Sequence, residues 1–251
     1  MTLPQRVRAR DRVPTTIIAA KFASSVWVPL DPSQQFPNCD GMGASMDEAG
    51  VKTLILARVR EAAGRRKKPV VTAEFSLGSS GVRADLAVFA ETTIGIEIKT
   101  AKDTLRRLHS QMAAYSRYFD HAIAVVAPCH LRQLTEHQLH GASLWTYDDE
   151  GALIVLRAGV RNIVEPSSLL DILTQAERRS LKFSAAMRRR YGDTSKDFWQ
   201  SVGSRSIRPQ DLALLSRFTD AREQARRAAA ERELRWSKWL MAQGELEPAS
   251  A

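Results

Sequence analysis

Asp85, Glu97 and Lys99 are three ionisable residues set inside two short apolar runs, Arg83-Ala84-Asp85-Leu86-Ala87-Val88 and Gly95-Ile96-Glu97-Ile98-Lys99-Thr100. A strand alternates its side chains with period two, so Glu97 and Lys99 project from one face while Ile96 and Ile98 point into a core. A turn-like Glu91-Thr92-Thr93 separates the runs, which brings the three groups toward one end of a hairpin. Two carboxylates suit a hard cation such as Mg²⁺ or Mn²⁺, and an ammonium beside them orients a water or offsets charge at a phosphate. Charged groups inside apolar strands are costly unless they are paired or bound to metal. The spacing therefore predicts a metal-dependent phosphodiesterase with Asp85, Glu97 and Lys99 as its catalytic set.

The elements that must position this set follow from periodicity. Ser45 or Asp47 caps a helix that runs to Gly64, with Val51, Leu54, Ile55, Val59 and Ala62 at helical spacing. Three strand-like runs follow, Val70–Leu77, Val82–Ala90 and Thr93–Thr100, with turns short enough for a meander. A second helix is predicted from about Asp103 to Tyr118, with Asp103 and Thr100 at its cap. His121–Ala127 reads as a buried strand, and Leu144–Tyr147 with Leu153–Leu156 as a further hairpin. After Pro166 the composition is helical over Leu169–Arg190 and Pro209–Gln243, with Gly192–Gly203 as a breaker between them. Residues 1–45 read as a basic extended arm, partly ordered at most, in which Arg6, Arg8, Arg10 and Arg12 read first as a solvated tail, with phosphate tracking as the alternative.

These residues resemble the PD-(D/E)xK nuclease superfamily, the restriction-endonuclease-like and RecB-like fold. Asp85 matches the motif aspartate, Glu97-Ile98-Lys99 the (D/E)xK element, and Gln111 with Tyr115 the QxxxY element; Ala84 stands where the motif has proline. More narrowly, the chain is similar to uncharacterised bacterial members whose pattern reads as an acid before a glycine, R-x-D, E-I-K, D-T-L-x-R-L, Q-x-x-x-Y and F-D. Glu74, Arg83, Asp103–Leu108 and Phe119-Asp120 supply the remaining elements, and the likeness spans roughly residues 50–175. The order α-β-β-β-α-β is the core order of that fold. The resemblance implies an α/β protein: a restriction-endonuclease-like core over 46–165, a mixed sheet flanked by helices, and a C-terminal helical subdomain over 166–251.

It also implies roles. Asp85, Glu97 and Glu74 would hold one or two metal ions, while Gln111 and Tyr115 would face the active site. Glu48 is the competing acid, because related nucleases place one there; by itself it reads as a favourable charge at a helix N-terminus. Arg83, Arg106 and Arg107 are candidates for nucleic-acid contacts.

Composition narrows the partners. With 37 basic against 28 acidic residues the chain carries a net charge of +9, a field that favours polyanions. DNA is the expected substrate, and the fold's habit of cutting duplexes as dimers adds a homodimer. The alternatives are a catalytically silent DNA-binding or regulatory module, and a toxin-like RNase. Two cysteines without CxxC spacing and five scattered histidines suggest no zinc framework, so the thiols are expected reduced. No run suits a signal peptide or a membrane span, which makes a cytoplasmic location the expectation. Trp236, Trp239 and Leu240 form a stripe expected to pack on the core.

Overall fold

The computed structural model describes residues 46–148, 150–180, 182–216, 231, 232, 235 and 236. The predicted arm over 1–45, Trp239 and Leu240 lie outside these residues.

The chain enters helix α1 (Glu48–Ala63) through Asp47, whose side chain accepts from the Gly50 amide, and leaves it at Gly64, where φ is +55°. Its buried stripe of Val51, Ile55, Leu56 and Val59 lies against the sheet. Strands β1 (Val70–Ser76), β2 (Arg83–Phe89) and β3 (Thr93–Lys99) form the expected antiparallel meander. Helix α2 (Leu108–Tyr118) crosses to β4 (His121–Val126), which lies parallel to β3. Two 3₁₀ segments, Pro128–Gln133 and Glu136–Leu139, lead to β5 (Ser143–Tyr147), parallel to β4. An antiparallel turn then adds β6 (Leu153–Arg157). The result is a mixed α/β architecture with one six-stranded sheet in the order β1-β2-β3-β4-β5-β6, flanked by helices.

Each face of the sheet has its own core. α1 covers one face over Ile94, Ile96 and Ile98; α2 covers the other over Ala122, Ala124 and Val126. Gly95 belongs to the α2 face, where the Phe119 ring lies so close that a Cβ at 95 would sit 2.2 Å from a ring carbon. Asp120 fastens the same corner, its Oδ2 accepting from the Thr93 amide at 2.9 Å and from Thr93 Oγ1 at 3.0 Å.

The strands exchange faces at one point. Ala73 and Leu86 are register partners in the α1-side core, yet the next paired residues, Phe75 and Ala84, lie in the α2-side core. Between them stand Glu74 and Asp85. Glu74 has a φ of +53°, a left-handed backbone that non-glycine residues adopt at a cost of order 1–3 kcal/mol. The reversal breaks the alternation on which a face assignment from sequence depends.

Three local expectations are corrected. Helix α2 begins at Leu108, not near Asp103: Asp103 Oδ2 accepts from the Thr100 amide at 2.8 Å and Thr100 Oγ1 at 2.6 Å, closing a turn at the end of β3. Gly192–Gly203 is not a breaker, since α5 (Phe183–Val202) runs through it after the short helices α3 (Pro166–Ile172) and α4 (Gln175–Ser180). Its buried stripe of Met187, Tyr191, Ser195, Phe198 and Val202 outweighs the cost of about 1 kcal/mol for an interior glycine. Cys129 is disulfide-bonded rather than a reduced thiol, which removes one support for a cytoplasmic expectation; Cys39 lies outside the described residues.

The helices after Pro166 are not all an appendage. α5 packs along β1 and contributes Phe198, Trp199 and Val202 to one core and Ala186, Met187 and Tyr191 to the other. Trp199 Nε1 donates to the Pro69 carbonyl at 2.9 Å, and Ser195 Oγ accepts from the Val71 amide at 3.0 Å. The 3₁₀ turn Pro209–Leu214 adds Leu212. Trp236 is 60% exposed, contrary to the stripe expected to pack there. No helix among the described residues is long and apolar enough to cross a membrane.

Candidate metal centre

A cavity of about 430 Å³ opens where β1, β2 and β3 meet the first turn of α1 and the start of α2. Glu48, Glu74, Arg83, Asp85, Glu97, Lys99 and Gln111 are among its lining residues. The sequence places these acids on separate elements, and the face exchange at Glu74 and Asp85 brings the two carboxylates to the same opening.

Two clusters share the cavity. In the first, one carboxylate oxygen each from Glu48, Glu74 and Asp85 lies within 4.8 Å of the others. Like charges opposed across neighbouring strands repel, so this arrangement needs a cation. Lys52 supplies one: its Nζ lies 2.5 Å from Glu48 Oε1 and 3.0 Å from Glu74 Oε1, and the residue is only 7% exposed. Burial lowers the pKa of this ammonium, but Glu48, Glu74 and Asp85 outweigh that effect and hold it above its ordinary value. Arg83 Nε stands 3.7 Å from Glu74 Oε2 at the rim.

The second cluster surrounds Glu97, which is 1% exposed. Lys99 Nζ donates to its Oε1 at 2.6 Å, Gln111 Nε2 to the same oxygen at 2.5 Å, and Tyr115 Oη to Oε2 at 2.6 Å. Gln111 and Tyr115 are four apart on α2, hence on one face, and that face carries both donors to the strand. Gln111 Oε1 is buried and has no hydrogen-bond partner among the described residues, leaving one acceptor at the cavity wall. Burial, then the Glu97 and Asp85 charges, push the Tyr115 hydroxyl well above its ordinary pKa, so it stays a donor.

Asp85 links the clusters. Its Oδ2 accepts from the Ile98 amide at 2.6 Å, which fixes the carboxylate beside β3. Burial and the Glu97 charge raise its pKa well above the ordinary 3.8, against the Ile98 hydrogen bond and Lys52. A bound cation would reverse that shift.

Of the sequence-predicted residues, Asp85 and Glu74 meet in the first cluster, and Glu97, Lys99, Gln111 and Tyr115 in the second. Glu48 joins Glu74 and Asp85, so its place at a helix N-terminus is not its whole surroundings. Lys52 has no counterpart in the sequence reading, though its position one turn after Glu48 was a usable signal. Arg107 is exposed at the cavity wall; Arg106 is exposed and not part of that wall. The donor set of the first cluster is oxygen only, which fits a hard divalent cation.

The comparisons with known proteins add a family and a distant likeness. No curated protein matches the chain. A solved protein of unknown function from Silicibacter pomeroyi is similar at 15% identity with a TM-score of 0.40, over 63% of this chain and 94% of that one. Residues 42–184, more than half of the sequence and including every residue of both clusters, match the family described as bacteriophage P4 protein cII. The chain belongs to that family.

Proposed function

We propose that the chain is a divalent-metal-dependent phosphodiesterase acting on nucleic acid, with DNA as its expected substrate. The observation that carries this reading is the convergence of Glu48, Glu74 and Asp85 oxygens within 4.8 Å, in one cavity with the Glu97–Lys99 pair. The strand order, with a three-strand meander followed by α2 and a parallel β4, is similar to the restriction-endonuclease-like core and supports the same reading. The net charge of +9 suits a polyanionic partner.

Glu48, Glu74 and Asp85 would hold Mg²⁺ or Mn²⁺, with Glu97 as the adjacent acid. When bound, such an ion polarises a scissile phosphate and lowers the pKa of a water. Lys99, held by Glu97, would place its ammonium against that water or the charge developing on the phosphate. Gln111 and Tyr115 fix the Glu97 carboxylate, and Gln111 Oε1 can accept from the same water. Arg83 and Arg107 at the cavity wall would contact backbone phosphates.

One observation favours a second reading. Both oxygens of Glu97 are already engaged by Lys99, Gln111 and Tyr115, as in a site that binds nucleic acid without turnover. Cleavage of duplex DNA, single-stranded DNA and RNA with Mg²⁺, in wild type and Asp85→Asn, decides between them. Metal-dependent cutting lost in Asp85→Asn supports the phosphodiesterase. Metal-insensitive binding without cutting supports the silent module, and RNA cut in preference to DNA supports an RNase.

A further inference from the structure

His109, His137 and His140 converge outside the acidic cavity, where α2 meets the 3₁₀ segment Glu136–Leu139. Their ring centroids are 4.4 Å apart for His109–His140, 4.8 Å for His109–His137 and 5.8 Å for His137–His140. His140 Nε2 and His109 Nδ1 are 3.0 Å apart, sharing one proton. The sequence shows no ligand spacing here, because folding brings residue 109 to a turn about thirty positions later.

We propose that these three imidazoles form a zinc-class metal site, with water as the fourth ligand. A ring nitrogen about 2.0–2.1 Å from zinc puts the ring centre about 3.2 Å from the ion, so two imidazoles on tetrahedral zinc have centroids about 5.2 Å apart. The three observed spacings bracket that value. Two nitrogens on one tetrahedral zinc are about 3.3–3.4 Å apart. Exchanging the shared proton of His109 and His140 for a metal therefore needs a shift of a few tenths of an ångström. His137 is exposed, and its ring has to turn before a nitrogen can join those of His109 and His140.

The scaffold is firm on both sides. Thr135 and Gln138 close a capping box around the 3₁₀ segment, Leu139 is buried beneath it, and His140 is held in a left-handed conformation at φ +46°. The neighbouring Glu136 is engaged by Arg157 at 2.6 Å. Imidazole nitrogen selects zinc-class ions over Mg²⁺, so the site is chemically separate from the oxygen-only cluster. It would clasp the β4–β5 connection to α2, the helix that carries Gln111 and Tyr115.

The test is a Co²⁺ titration of the tag-free full chain in excess Mg²⁺, with absorption and thermal melting as readouts. The expected result is one equivalent with the intense visible band of four-coordinate, nitrogen-ligated Co²⁺, displaced by Zn²⁺ and accompanied by a higher Tm. His137→Ala changes an exposed side chain and should melt as wild type without metal while binding Co²⁺ at least tenfold more weakly. Asp85→Asn should keep the band. A pale six-coordinate spectrum, or His137→Ala with wild-type affinity, overturns the site.

Discussion

Lys52 on α1 reaches Glu74 on β1, its Nζ 3.0 Å from Oε1, while holding Glu48 on its own helix at 2.5 Å. One buried ammonium thus neutralises two of the three carboxylates that would bind a metal. Lys52→Met should lower the stability of the metal-free protein by about 1–3 kcal/mol, since it leaves the partly buried Glu74 carboxylate without its cation. It should also strengthen Ca²⁺ binding, because the ion no longer competes with an ammonium. Melting curves with and without Ca²⁺ check both; weaker Ca²⁺ binding in Lys52→Met would mean that the lysine shapes the metal site instead of competing for it.

Lys99→Ala separates chemistry from binding. One ammonium is a small part of a +9 surface, so nucleic-acid affinity should stay within about twofold. Cleavage should fall by about 100-fold or more if that ammonium faces the reacting phosphate. Single-turnover rates beside binding isotherms give the comparison, and cutting at the wild-type rate would assign Lys99 a structural role.

Tyr115→Phe removes the donor to Glu97 Oε2 while keeping a ring that is 0% exposed. Leaving that oxygen unpaired should cost about 1–3 kcal/mol of stability. Tyr115→Ala should cost more, since it adds a void. Gln111→Ala should lower the cleavage rate with a smaller stability loss, because Gln111 lies at the cavity wall. Chemical denaturation and turnover measured on the same samples rank the three.

Asp85 gives the pH dependence. Its folded pKa is raised, so without metal the native state holds a proton that the unfolded chain has released. That contribution is full below the ordinary value of 3.8 and is lost as pH rises through the folded pKa, so metal-free stability should decline above the normal carboxylate range. Asp85→Asn should flatten the decline, and added Mg²⁺ should oppose it. Denaturant midpoints across acidic to neutral pH, with and without Mg²⁺, test the sign.

A chain ended at residue 190 should aggregate. It lacks Phe198, Trp199, Val202, Leu212 and Leu215, all buried in the α1-side core. Each large apolar side chain removed from such a core is worth about 2–5 kcal/mol, so the loss exceeds the stability of a typical domain. A soluble fragment with a cooperative melt would show that the core closes without α5.

The strands were legible because their apolar runs are bounded by turns, and the structure places their ends within a residue or two of the expected ones. Asp85, Glu97, Lys99, Gln111 and Tyr115 were legible as a set through spacing and family likeness. Three features were not. The face exchange at Glu74 depends on a left-handed backbone at a residue whose type gives no hint of it. The late start of α2 depends on Thr100 and Asp103 closing a turn, where the same residue types equally suit a helix cap. Lys52 with Glu74, and His109 with His137 and His140, meet partners far along the chain, and such contacts leave no period in the sequence.

Gly95 carries no polar atom, yet it controls how well the polar centre is aligned. Phe119 fills the space a side chain at 95 would need, and its ring stands 5.6 Å from that of Tyr115, the residue that holds Glu97. A methyl group at position 95 would force the Phe119 ring to move, and that ring packs edge-on against Tyr115. Mutational damage to this centre can therefore arise from bulk alone, at a position no inventory of ligands or acids would name.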